Sequence, residues 1–181
     1  MQRTVVVPAD LSADALEEFK NWLGISRPNE DQVLVDLLKS SLAICEAFIR
    51  QMPLEQTIEE RLTPTAGSHA LVSQPVKALV SVESTDAYQS RSVLQSEKFD
   101  FSLGSDGIAC IDFHQAIDAD AIVTTVRAGI ASTWADIPKP LKQGIIRLAA
   151  FHYRDRDSAS NPAPPASVAA LWRPWRMICL S

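Results

Sequence analysis

The chain has 181 residues, 46% hydrophobic and 22% charged, with a formal net charge of -5; that is long enough for one domain with its own core and too average in composition for wholesale disorder. The acidic balance argues against a protein whose main task is gripping nucleic acid, since such binding rests on neutralising phosphates with Lys and Arg. Cys45, Cys110 and Cys179 are far apart and form no CxxC pair, so neither a disulfide framework nor a zinc site is suggested and a reducing cytoplasm fits; without a signal pattern or a membrane-length apolar run, neither secretion by that route nor anchoring is expected.

Residues 1–9 carry Val5, Val6 and Val7 before Pro8, a short apolar arm with no covering partner in its own segment. It is expected to add to a sheet or pack on a neighbour. Ser12 then caps a helix in which Leu16, Phe19 and Leu23 share a face and Gly24 marks the end. After Arg27 and Pro28 a longer helix is predicted, capped by Asn29, with Glu30, Asp31 and Gln32 in its first turn where acidic groups suit the positive helix end. Leu34, Leu37, Leu38, Ser41, Cys45 and Phe48 form its stripe, Ile44 and Ile49 widen it, and Pro53 stops it.

From about residue 58 to 130 β-branched residues come in short runs between Gly, Ser, Asp and Pro. Strands are predicted near 58–63, 76–84, 98–103, 108–112 and 121–128. The clearest signal is a hairpin from Phe99 to Phe113 turning through Gly104 to Gly107. With no crossover helix between these strands, the meander is antiparallel.

A long helix is predicted over Ile137 to Asp157. It is led by Pro138 and Pro140, has two apolar faces, and carries a Gly144 that implies close approach of another backbone, because an interior glycine costs roughly 1 kcal/mol relative to alanine. A proline-rich loop follows, and the chain closes on a Leu171–Arg176 run with two tryptophans. Eleven prolines against six glycines favour stiff connectors and extended arms. The fold class expected is α+β: a small helical bundle with an inserted antiparallel β module and extended terminal arms. Residues 1–56 form an N-terminal arm and helix pair, 57–136 the β module, 137–160 the long helix of the same bundle, and 161–181 a proline-rich arm, all in one domain.

No arrangement of catalytic chemistry stands out. Phosphate-loop, dinucleotide and zinc-hydrolase motifs are absent. His69 reads as a solvated loop residue, His114 as half of a surface pair with Asp112, and His152 as a hydrogen-bonded core histidine. The adjacent acidic pairs Glu17–Glu18, Glu30–Asp31 and Glu59–Glu60 read as solvated faces or interface rims. No catalytic, cofactor-binding or metal-binding residue is nominated, and no cofactor is expected. Arg154 to Asp157 alternate in sign, which suits a helix end and leaves open a subunit contact. The Leu171, Trp172, Arg173, Pro174, Trp175 and Arg176 run either caps its own core or docks on another protein; Trp and Arg are hot-spot residue types and a stiff arm loses less entropy on docking, which favours the second.

The order of these pieces carries a resemblance. The N-terminal helix pair includes a DxxLxxLLxxxxxxCExFI-like helix, followed by the β insertion, then IPxxLKQGIIRLAAFHYRDR and a VAALWRPWR tail. In this it resembles the head–tail connector, or adaptor, family of long-tailed bacteriophages and gene transfer agents. The matching positions are Pro138, Gln143 with Gly144, Tyr153, Arg154 or Arg156, then Leu171, Trp175 and Arg176; Gly144 stands where alanine is more usual. The resemblance implies a non-enzymatic virion protein made in the bacterial host cytoplasm. Copies would form a homo-oligomeric ring, expected to be dodecameric, beneath the portal protein, extending the DNA conduit and docking a tail-side stopper or completion protein. DNA would pass without sequence-specific binding, and no membrane is involved. Leu171 to Arg176 are then expected at the portal or subunit interface, and Gly144, Tyr153, Arg154 and Arg156 at bundle and subunit contacts. The alternatives are a stopper-like completion protein, a small oligomeric binding module unrelated to phages, and an enzyme using His114 with Asp112 or Asp118.

Overall fold

The structure is a computed structural model that describes residues 2–105, 107–155 and 163–177. Along the chain lie β1 (Gln2–Val7), α1 (Ala13–Leu23), α2 (Asp31–Ile49), β2 (Gln56–Leu62), β3 (Gly67–Ala70), β4 (Val76–Thr85), β5 (Arg91–Val93), β6 (Phe99–Leu103), β7 (Ala109–Phe113), β8 (Ala121–Ala128), α3 (Lys139–Arg154) and α4 (Ala166–Trp172). The class is α+β, with helices and two antiparallel sheets. The chain divides into two compact units, one of Met1–Ala9 with Glu55–Gly129, the other of Asp10–Leu54 with Ile130–Ser181.

The first unit is built of β-strands. One sheet runs β1-β2-β8-β4-β5 and the other β3-β7-β6. Alternation decides which face is buried: Ile58, Glu60 and Leu62 of β2 pair with Val126, Thr124 and Ile122 of β8, and all six are buried, as period-2 side-chain alternation requires. The hairpin expected at Phe99 to Phe113 is present as β6 and β7 in register Phe99↔Phe113 to Leu103↔Ala109, closed by the Gly104 N–H donating to Ile108 O at 2.8 Å. At Gly107, with φ +79°, an added Cβ would fall 2.6 Å from Pro75 Cβ, so the turn needs glycine for both its dihedral and its space.

The expected meander is thus two sheets, because the β6–β7 hairpin pairs with β3 and not with β2, β8 or β4, and both sheets gain a strand where none is predicted, β3 and β5. They are four and three residues long, GSHA and RSV, too short and polar to show an alternation. His69 consequently sits in a strand and not in a loop. The N-terminal arm pairs antiparallel with β2 as an edge strand, with all six residues exposed.

The second unit is helical. α1 buries Ala15 and Phe19 and ends at Gly24, whose φ of +72° is the left-handed C-cap. A 3-10 turn over Pro28–Glu30 precedes α2, so the helix begins at Asp31 and not beside Asn29. It ends on Arg50, at φ +59°, three residues short of Pro53. Its core stripe is Leu34, Leu38, Ser41, Leu42, Cys45 and Ile49. Burial pushes the Cys45 thiol pKa up, which keeps it in the unreactive neutral form.

α3 spans 139–154, inside the expected 137–157. Pro138 is the N-cap, at φ -50° and ψ 129°, and its carbonyl accepts the Lys142 N–H at 3.0 Å. Leu141, Gly144, Ile145, Ile146, Leu148, Ala149 and Ala150 are buried, which gives this helix the two covered sides its sequence suggests. Leu54 and Ala131 meet in a backbone bridge, and the Ile130 N–H donates to Met52 O at 2.8 Å. The stretch 55–129 therefore leaves and re-enters the helical unit at neighbouring points.

Candidate assembly interface

α3 is the floor on which α4 lies. A Cβ at Gly144 would collide with the Trp172 indole, 2.8 Å from Cε2 and 2.9 Å from Cδ1. Glycine is therefore required here for close approach of a side chain, where the sequence suggested a backbone. Trp172 is fully buried, donates Nε1–H to Leu141 O at 3.2 Å, and meets the Phe48 ring at 5.8 Å. The indole satisfies its one polar group while filling the groove between α2 and α3, as a buried Trp must.

The Leu171–Arg176 run is thus divided. Trp172 belongs to the chain's own core, which corrects its expected place in an intermolecular interface. Residues 166–175 form helix α4 and a 3-10 turn and not an extended arm, because each turn of α4 gives Val168 or Trp172 to the core. Leu171 and Trp175 are half-buried, while Arg173, Pro174 and Arg176 are exposed. Two hydrogen bonds hold this end down: Gln51 Nε2–H to Trp175 O at 2.7 Å and Met177 N–H to Ile49 O at 3.0 Å. The Arg176 guanidinium lies 5.8 Å from the Phe48 ring centroid. Gln51 and Arg50 carry no hydrophobic or motif signal, and sequence reasoning missed both.

Tyr153 lies at the other end of α3 and donates its hydroxyl to Glu30 Oε2 at 2.5 Å. Both line a pocket of about 430 Å³ with Gly24, Ile25, Ser26, Arg27 and Asn29. Glu30 is therefore a partnered acid and not a solvated one. Glu18 likewise accepts Trp134 Nε1–H at 2.8 Å and stands 3.6 Å from Lys142 Nζ. Glu60, buried in the β unit, accepts the Val72 and Ser73 N–H groups at 2.9 and 2.6 Å; it secures the turn before β4 and is no interface rim. Arg154 is exposed at the end of α3, and Arg156 lies outside the described residues.

The histidines do not assemble a reactive site. His114 Nε2 is 3.0 Å from Asp100 Oδ2 and Nδ1 is 2.9 Å from Glu97 O. Its hydrogen-bonding partner is Asp100 and not Asp112, because Asp100 lies beside the end of β7 on the neighbouring strand β6. The Asp100 hydrogen bond, then the Glu97 carbonyl, raise its pKa above the ordinary value. His69 shares Nε2 with Thr65 O at 3.0 Å and tilts against Phe113. His152 Nε2 is buried with no hydrogen-bond partner among the described residues, contrary to the bonded core histidine expected. The described residues contain no His, Cys, Asp and Glu group able to hold a metal ion, and no described helix is long and apolar enough to cross a membrane.

Neither a protein-family model nor a curated protein matches the chain. Solved structures do. A chain in the neck of an empty gene transfer agent particle, with C6 symmetry, superposes at a TM-score of 0.80 and 20% identity, covering 100% of this chain and 98% of that one. A chain of the virion of the native gene transfer agent particle gives 0.79 and 22% over the same shares. A chain in the neck of the native particle, with C12 symmetry, gives 0.78 and 21%, again over 100% and 98%. At these identities the agreement establishes a common fold along the full length of the chain.

Proposed function

We propose that the protein is a structural head–tail adaptor of a bacteriophage or gene transfer agent, without enzymatic activity, located in the virion at the head–tail interface. The observation that carries this reading is the full-length fold shared with neck and virion chains of gene transfer agent particles, where a partial overlap would have pointed only to a common module. The C6 and C12 symmetries of those necks support a ring of identical copies, since repeated heterologous contacts close into a ring when the rotation allows. In this reading the ring sits beneath the portal protein, extends the DNA conduit and presents a surface to a tail-side stopper or completion protein. The exposed Arg173, Pro174 and Arg176, with half-buried Leu171 and Trp175, face the portal or the next copy. Trp172 and Gly144 hold that segment in place.

Co-expression with the portal protein of the same genome tests this, with the complex imaged by electron microscopy. A ring of this chain stacked coaxially on the portal is expected. A protein that stays monomeric and elutes apart from the portal would overturn the reading.

A further inference from the structure

The end of α2 and the last described residues run side by side. Met177 bonds to Ile49 and Gln51 to the Trp175 carbonyl, which places Arg50 beside Arg176. The Arg176 N–H donates to Arg173 O at 3.2 Å, so Arg173 lies one turn away. All three arginines are exposed. Among the described residues no carboxylate lies within ion-pair distance of any of them. Three exposed arginines without a carboxylate partner among the described residues thus stand on adjoining backbone in a chain whose net charge is -5.

Arg50 adds an independent observation. It caps α2 at φ +59°, a left-handed position for which glycine is the default and which α1 fills with Gly24. A bulky residue kept in a sparsely populated conformation points to use of its side chain. The guanidinium fork pairs with carboxylates or phosphates. Three cations on an acidic chain are few for a nucleic acid, whose grip depends on many phosphate contacts at physiological salt. They match two or three carboxylates, with half-buried Trp175 and exposed Pro174 as apolar ground between them.

We propose that Arg50, Arg173 and Arg176 form a clasp for a carboxylate-rich segment of a partner protein. That the partner belongs to a virion neck rests on the adaptor reading; the clasp chemistry does not. The test measures fluorescence anisotropy of the full chain with a labelled eight-residue oligo-glutamate peptide, an oligo-glutamine peptide of equal length, and a single-stranded oligonucleotide of eight residues. Salt-sensitive binding of the glutamate peptide alone is expected, with affinity falling at least tenfold in the Arg50→Gln, Arg173→Gln, Arg176→Gln variant while its melting temperature stays put. Arg50→Gly should raise the melting temperature, by relieving the cap, and still weaken the peptide several-fold. That opposition separates a binding role from a structural one.

Absence of glutamate-peptide binding, or binding undiminished in the triple variant, overturns the clasp. Equal or tighter binding of the oligonucleotide through the same arginines overturns it in favour of a nucleic-acid site. If a ring forms on the portal while wild-type protein ignores the glutamate peptide, the adaptor reading stands and the clasp falls. If the peptide binds through the arginines but no ring or portal complex forms, the reverse holds.

Discussion

Gly144 shows how one missing atom organises the end of the chain. The Trp172 indole lies where its Cβ would be, and the ring is buried against α3 with its N–H bonded to Leu141 O. Gly144→Ala is expected to destabilise the protein by about 1–3 kcal/mol, the usual range for overpacking, although alanine is the better helix former; urea denaturation measures it, and a variant as stable as wild type would mean the indole can move. His114 is the residue with a legible pH dependence. Its folded pKa is raised by Asp100 first and the Glu97 carbonyl second. The charged ring therefore contributes stability that is fully present below the unfolded value of about 6.5 and is lost as pH rises through the raised folded value. An NMR titration should place the His114 midpoint above the ordinary value, and Asp100→Asn should bring it back down. An unchanged midpoint in that variant would remove Asp100 as the cause.

The C-terminal segment changes meaning between sequence and structure. As a proline-stiffened arm, residues 161–181 could be deleted without harm to the body. With Val168 and Trp172 in the core, that deletion uncovers Gly144, Leu141 and Phe48. A chain ending at residue 160 should lose about 3–5 kcal/mol, the cost typical of removing a buried Trp side chain, and melt markedly earlier. A chain ending after Trp172 keeps the indole and should melt well above that truncation while losing the exposed Arg173, Pro174 and Arg176. Equal melting of the two truncations would show that Trp172 contributes nothing to the core. The helices themselves were legible because α2 and α3 carry apolar stripes over 19 and 16 residues. The strands β3 and β5 were not: β3 is made a strand by β7, more than 35 residues further along the chain, and β5 is a three-residue exposed return of β4, too short to show a period.

Residues 55–129, the larger part of the β unit, are an insertion whose ends meet, and β1 joins its sheet from the N-terminus. Met52, Leu54, Ile130 and Ala131 are joined by backbone contacts inside the helical unit. Replacing residues 55–129 by a short Gly-Ser linker is therefore expected to leave a helical protein with a cooperative thermal transition, because closing a short loop between adjacent ends costs little entropy. Circular dichroism checks this; a non-cooperative melt would mean that the helical core depends on the inserted strands.

By itself the sequence determined the α+β class, the principal helices, the Phe99–Phe113 hairpin and the demand for a small residue at position 144. These follow from local periodicity, caps and turn residues, which act within a few positions of one another. Only the tertiary structure decided that Glu60 is a buried acceptor for two backbone N–H groups, that Trp172 fills the space above Gly144, and that Arg50 stands beside Arg176. Each of these joins residues 12 to 126 positions apart, and a one-dimensional pattern carries no record of such partners. Arg50 and Arg176 are neighbours because α2 ends in a left-handed turn where the last described residues return to meet it.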